Sequence, residues 1–203
     1  MITVCKSTPR YYGRVATQSE RRKATRGALL AAATELFSAD GFEVVTIDDV
    51  ANAAGVTRGA FYHHFDNKEA IFEAVFRAAE LSLRDAVILA ANGHGPTERL
   101  VAGCRAFVAN AGRDNVRQIV LIDGPAILGW EMYKRIDEEL FLAPLAAAIT
   151  EIRPNDARST CTMLARALLA SVCEFSLQAA QNPRNRTATD RALVALVHAL
   201  AAQ

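Results

Sequence analysis

Apolar positions along this chain recur at helical spacing from about Arg22 almost to the last residue. Leu29, Leu30, Ala33, Leu36 and Phe37 mark a first helix from about Arg22 to Ala39, with Gly41 as its stop. Ile47, Val50, Ala51 and Ala54 fall on one stripe of a short second helix, which Gly55 ends by supplying a left-handed residue. Phe42 and Val44, between the two, are expected to extend the same small core. Ile71, Phe72, Val75, Phe76 and Ala79 open a long helix that runs through Leu83, Val87 and Ile88. Asn92, Gly93, Gly95 and Pro96 then break it.

From Thr97 onward the period stays helical. Leu100, Val101, Cys104, Phe107, Val108 and Ala111 make a broad stripe ended by Gly112, and Val116 to Ile122 starts an element that Gly124 and Pro125 should interrupt. A helix from about Trp130 to Ile152 follows, with Pro144 as an expected kink. Asn155 or Asp156 caps the next, which carries Leu164, Leu168, Ser171, Val172 and Phe175 and closes at Asn182 and Pro183. Thr189 or Asp190 starts the last, with Leu193, Val194, Leu196, Val197 and Leu200. These two helices hold more apolar surface than one face needs, so either a partner covers the excess or the chain's own core absorbs it.

The segment from Thr46 to Phe76 carries the chemistry. Thr46 and Asp49 are spaced to cap the short helix, the hydroxyl accepting from a free N–H and the carboxylate facing the positive end of the dipole. After Gly55, Thr57 caps another short helix through Phe61, Tyr62 and His63. Two short helices about a glycine turn make a helix-turn-helix. Phe61 and Phe65, at i and i+4, are its buried anchors. The outer face of Thr57, Arg58, Gly59, Ala60, Tyr62 and His63 is small and polar, suited to close approach to a DNA groove and to bonding phosphates or base edges. Asn67 caps the long helix with Lys68 in its first turn, where a cation is poorly placed unless an anion such as phosphate lies nearby.

These residues resemble the DNA-binding domain of the TetR family of bacterial transcriptional repressors. The likeness rests on Thr-Ile-Asp-Asp-Val-Ala, on Ala-Gly-Val-Thr-Arg-Gly-Ala-Phe-Tyr-His-His-Phe and on Asn-Lys-Glu-Ala, with an amphipathic helix upstream. It implies that Thr46, Tyr62, His63 and Lys68 hold the phosphate backbone, while Thr57, Arg58 and Gly59 lie closest to the bases. Ala70 stands where the family more often has Leu. The run from Asp123 to Trp130 is similar to the ligand domains of a subset of these regulators, a weaker likeness. The resemblance further implies that the last two helices form a four-helix dimer interface and that the long helix is a lever between head and ligand domain. The expected fold is all-α, with a basic disordered arm over residues 1–20, a three-helix helix-turn-helix head over 21–68 and a ligand-binding and dimerisation bundle over 69–203.

Composition changes this picture little. About half of the 203 residues are apolar and the formal net charge is only +1, but Lys6, Arg10, Arg14, Arg21, Arg22, Lys23 and Arg26 crowd the start against Glu20 alone. Met1 to Tyr12 lacks the apolar core of a signal peptide and no apolar run matches a bilayer, so a cytoplasmic protein with no membrane partner and reduced Cys5, Cys104, Cys161 and Cys173 is expected. His63 and His64 are adjacent and lack zinc-site spacing, and no nucleophile and base, phosphate loop or dinucleotide fingerprint is present. Neither an enzyme, a metal site nor a cofactor is expected. An effector has to be argued from shape: Phe107, Trp130, Tyr133, Phe141 and Phe175 are candidate walls of an apolar pocket, with Arg105, Asp123, Arg166, Glu174 and Gln178 as polar points.

Three functions compete. A repressor that binds a palindromic operator in double-stranded DNA as a homodimer, and is released by a small apolar effector, accounts for head, lever and bundle together. An architectural DNA binder without an effector needs the head alone. An all-α enzyme would leave the outer face of the hairpin without a purpose.

Overall fold

The computed structural model describes residues 17–202, and every regular element among them is helical. The expected basic arm therefore lies outside the described residues as far as residue 16. Its last residues are already structured. Thr17 closes a capping box with Glu20, so α1 spans Gln18–Asp40, four residues earlier than the apolar stripe alone marks. The hydroxyl and carboxylate set this start where no buried apolar side chain does.

The head follows the sequence pattern closely. Helix α2 (Ile47–Ala53) starts at a second capping box, Thr46 with Asp49, and α3 (Arg58–Tyr62) at Thr57, whose hydroxyl accepts from the Ala60 N–H at 3.1 Å. Gly55 takes φ +68° in the turn between them. Phe37, Phe42, Phe61, Phe65 and Phe72 fill the centre. Val44 does not join them: it is 72% exposed, and Val45 is the residue that turns inward.

Helix α4 (Lys68–Ala91) leaves the head and packs along α5 (Pro96–Ala111). Gly124 and Pro125 do not interrupt the chain that follows. A short α6 (Asp114–Arg117) passes through a π turn at Gln118–Asp123 into α7 (Gly124–Asp137), and a second π turn at Glu138–Leu142 leads into α8 (Ala143–Ile152). Each π turn precedes a proline and contains the carbonyl four residues before it, Leu121 for Pro125 and Leu140 for Pro144. The wider turn relieves the clash and the missing bond that a proline brings to an α-helix. The conformational break comes at Gly129, with φ +73° and ψ 155°.

Helix α9 (Arg158–Gln181) starts after Ala157 without a side-chain cap, and α10 (Arg186–Ala201) begins before the expected Thr189 or Asp190. By length and composition α9 could cross a membrane, with only 33% of its most apolar window buried, yet it packs sideways against α5, α8 and α10. Two buried clusters result. One joins the head to α4, the first π turn and α7 through Phe76, Ile119, Val120, Tyr133 and Ile136; the other fills the bundle of α5, α8, α9 and α10.

Candidate functional site

The hairpin holds its outer face ready. Thr57, Arg58, Gly59, Tyr62 and His63 are all exposed. Arg58 is braced from both sides: one guanidinium nitrogen donates to Asp48 Oδ2 at 2.6 Å, another to the Tyr62 hydroxyl at 3.3 Å, and the group lies 5.7 Å from the Tyr62 ring centroid. Asp48, on α2, was not singled out from sequence. A carboxylate ten residues from its arginine gives no local signal, and its effect is to hold Arg58 in place while offsetting its charge. Added to Gly59, a Cβ would meet only Thr57 Oγ1, at 3.8 Å, so the fold itself makes no demand for glycine there.

Two of the residues assigned to phosphate are engaged within the protein. The Thr46 hydroxyl accepts from the Asp49 N–H at 3.2 Å and donates to the Asp49 carboxylate at 2.5 Å. The Lys68 ammonium donates to the carbonyls of Phe42 at 2.7 Å and Val45 at 2.9 Å, and sits 4.1 Å from the Phe42 ring centroid. The partial negative charge that a cation in a first helical turn requires is therefore supplied by carbonyls. Arg21, Arg22 and Lys23 are exposed on α1 with no ion pair among the described residues, and Arg26 lies over the Phe65 ring at 4.9 Å. Burial and the nearby charges of Arg22, His63 and Arg26 hold His64 below its ordinary pKa, which places the start of α1 beside the end of α3.

The residues proposed for the effector do not share one cavity. Phe107 lines a cavity of about 290 Å³ between α4, α5, α8 and α9, with Val87, Cys104, Phe141, Leu145 and Val172. Trp130 and Tyr133, stacked at 6.1 Å, belong to a second cavity between α7 and α9. Trp130 is 67% exposed and so is not a core residue. Arg105 forms a two-pronged ion pair with Asp190 at 2.6 and 2.8 Å in a surface cleft between α5 and α10. Phe175 is half-buried against the bundle core and lines none of these spaces.

Asp123 lines none of them either. Its carboxylate accepts the Phe42 N–H at 2.9 Å and the Gln118 amide at 3.0 Å, tying the loop after α1 to the first π turn. Beside it, the Ser38 hydroxyl donates to the Asn115 carbonyl at 3.1 Å. Gly124 meets α4 so closely that a Cβ would lie 2.6 Å from Phe76 Cε2. The head is thus fastened to the bundle by polar contacts and by one glycine approach.

The thiols have little chemistry to offer. Cys104, Cys161 and Cys173 are free, and burial pushes Cys104 up to about 12 and Cys173 higher still, far from the reactive thiolate range.

A helix-turn-helix with a small polar face, fastened to a helical bundle that encloses cavities, defines a DNA-binding regulator. The bacterial regulatory proteins of the tetR family match residues 29–75, and the tetracyclin repressor-like C-terminal domain matches residues 97–202. The chain belongs to the TetR family of transcriptional regulators, whose members are DNA-binding proteins and not enzymes. It is 29% identical over 139 residues to the TetC protein of transposon Tn10 from Escherichia coli, covering 66% of this chain and 68% of that one. It is 38% identical over 72 residues to the HTH-type transcriptional repressor BepR of Brucella suis, covering 36% and 34%. A TetR-family regulator of Pectobacterium atrosepticum superposes with a TM-score of 0.73 at 25% identity, over 91% of this chain and 95% of that one.

Proposed function

We propose that this chain is a repressor that binds a palindromic operator as a homodimer and is released when a small apolar molecule enters the cavity beside Phe107. The observation that carries the reading is the path of α4. Its first turns bury Ile71, Phe72 and Phe76 in the head cluster, and its last turns line the cavity with Arg84, Val87, Ile88 and Ala91. A ligand that fits only a shifted α4 would move the heads relative to each other. Two recognition helices must enter successive major grooves about 34–36 Å apart, so that shift costs DNA affinity. By linkage, DNA weakens the ligand by the same factor.

Self-association fits the exposed stripe of Met163, Ala167, Ala170 and Glu174 on α9 beside Ala192, Ala195 and Ala199 on α10. Val172, an obvious target for a charge in this helix, faces the monomer's own core and would test stability instead. Operator selection followed by fluorescence anisotropy tests the whole reading. A dimer on a two-fold site, weakened by Arg58→Ala and released by apolar compounds in proportion to their binding, is expected. An operator affinity that no cavity ligand alters would leave the chain a DNA binder without an effector.

A further inference from the structure

The cavity between α7 and α9, about 350 Å³ and walled by Leu121, Trp130, Tyr133, Asp137, Leu169 and Cys173, has a chemistry of its own. Asp137 is 7% exposed, lines this space, and has no hydrogen bond or ion pair among the described residues. The cations at the rim are already engaged: Lys134 and Arg166 both pair with Glu138. Glu174 accepts from Gln178 at 2.9 Å. Near Asp137, Glu80 of α4 is 1% exposed, and its Oε2 has no partner. Tyr133 and Cys173 are hydrogen-bonded to each other beside these acids. Two buried carboxyls without a counter-charge are costly in a fold that gains nothing from them. Burial raises both groups, Asp137 to about 7, and Glu80 is raised further by the charge of Asp137.

The wall opposite in character is aromatic. Trp130 leaves most of its surface in water and stacks on Tyr133 with planes inclined by 26°. Electron-rich faces beside an unpaired carboxyl attract a cation, and a desolvated site strengthens that attraction.

We propose that this cavity binds a lipophilic organic cation, a substituted amine or quaternary ammonium, with its charge against Asp137 and its apolar body along Trp130 and Tyr133. The consequence for DNA rests on the effector-released reading above; the binding chemistry does not. Leu169 lines both this cavity and the apolar one beside Phe107, so the two spaces share a wall.

Trp130 is the chain's single tryptophan, so its emission reports this wall without a label. The test titrates the full-length chain with benzyltrimethylammonium and with its neutral isostere neopentylbenzene. At pH 8 the ammonium should change Trp130 emission saturably and bind at least tenfold tighter than the isostere. Asp137→Asn should abolish that tenfold preference while leaving the isostere unchanged, and Glu80→Gln, which keeps the shape, should reduce it. Affinity for this permanently charged probe should rise roughly tenfold per pH unit below about 7 and level off above it, as Asp137 ionises among Glu80, Tyr133 and Cys173 with Lys134, Glu138, Arg166 and Glu174 at the rim. Equal affinities for the two probes, or an Asp137→Asn variant that binds the ammonium as before, would overturn the proposal. Operator binding is read in parallel. Ammonium bound through Asp137 with operator affinity unchanged supports the cation site and removes the effector reading, whereas release by a neutral apolar compound with no ammonium binding does the reverse.

Discussion

Gly59→Ala separates what the fold needs from what DNA needs. The glycine sits in the first turn of α3, exposed, and the only atom near an added Cβ is Thr57 Oγ1 at 3.8 Å, ordinary van der Waals contact. Alanine is the better helix former by about 0.5–1 kcal/mol, because glycine loses more backbone freedom on folding. The variant should therefore melt about 1–4 °C higher, given roughly 2–4 °C per kcal/mol for a chain of this size. Operator binding should move the other way. If the face of Thr57, Arg58 and Gly59 lies against base edges, a methyl group there displaces the backbone from the groove, and a tenfold loss corresponds to about 1.4 kcal/mol. Thermal melting and anisotropy on the same preparation give the two signs. A variant that melts higher and binds the operator as well as the parent would refute the placement of Gly59 in the interface.

Lys68→Ala removes donors to the Phe42 and Val45 carbonyls together with the contact to the Phe42 ring, so the head should lose about 1.5–3 kcal/mol alongside any loss of DNA affinity; an unchanged urea midpoint would show that these bonds contribute nothing. Asp123→Ala leaves the Phe42 N–H without its acceptor, at a cost of about 1–3 kcal/mol, and should shrink the factor by which an effector weakens operator binding; coupling equal to the parent's would remove Asp123 from the path. Asp137 is raised from 3.8 to about 7 by burial, so the folded state holds its proton more tightly than the unfolded chain does. Its contribution is complete below about pH 4 and is lost as pH rises towards 7, by up to about 1.4 kcal/mol per unit. Asp137→Asn should flatten that fall between pH 5 and 7, and parallel urea midpoints in parent and variant would contradict it.

The hairpin was legible because its determinants are local. Thr46 with Asp49, Gly55, Thr57 and the Phe61 and Phe65 pair each act within a few residues, where caps, left-handed turns and helical periodicity operate without help from the rest of the chain. The order of helices and their apolar stripes were legible for the same reason. Val44 and Val45 mark the limit: both are β-branched and adjacent, and which one points inward depends on how the loop leaves Gly41 towards α2. The prolines mark another, since a π turn ahead of Pro125 lets the helix continue where composition signals a stop.

The amino-acid sequence by itself determined the all-α class, the helix-turn-helix and its exposed polar face, because these follow from periodicity and capping over short spans. Only the tertiary structure decided which polar groups meet. Asp123 reaches the Phe42 N–H across 81 positions and Gly124 admits the Phe76 ring. Glu80 and Asp137 come together from α4 and α7, while Arg105 turns away from Phe107 to Asp190. A carboxylate's role depends on the donor or cation that packing brings within about 3 Å, and no spacing along the chain carries that distance.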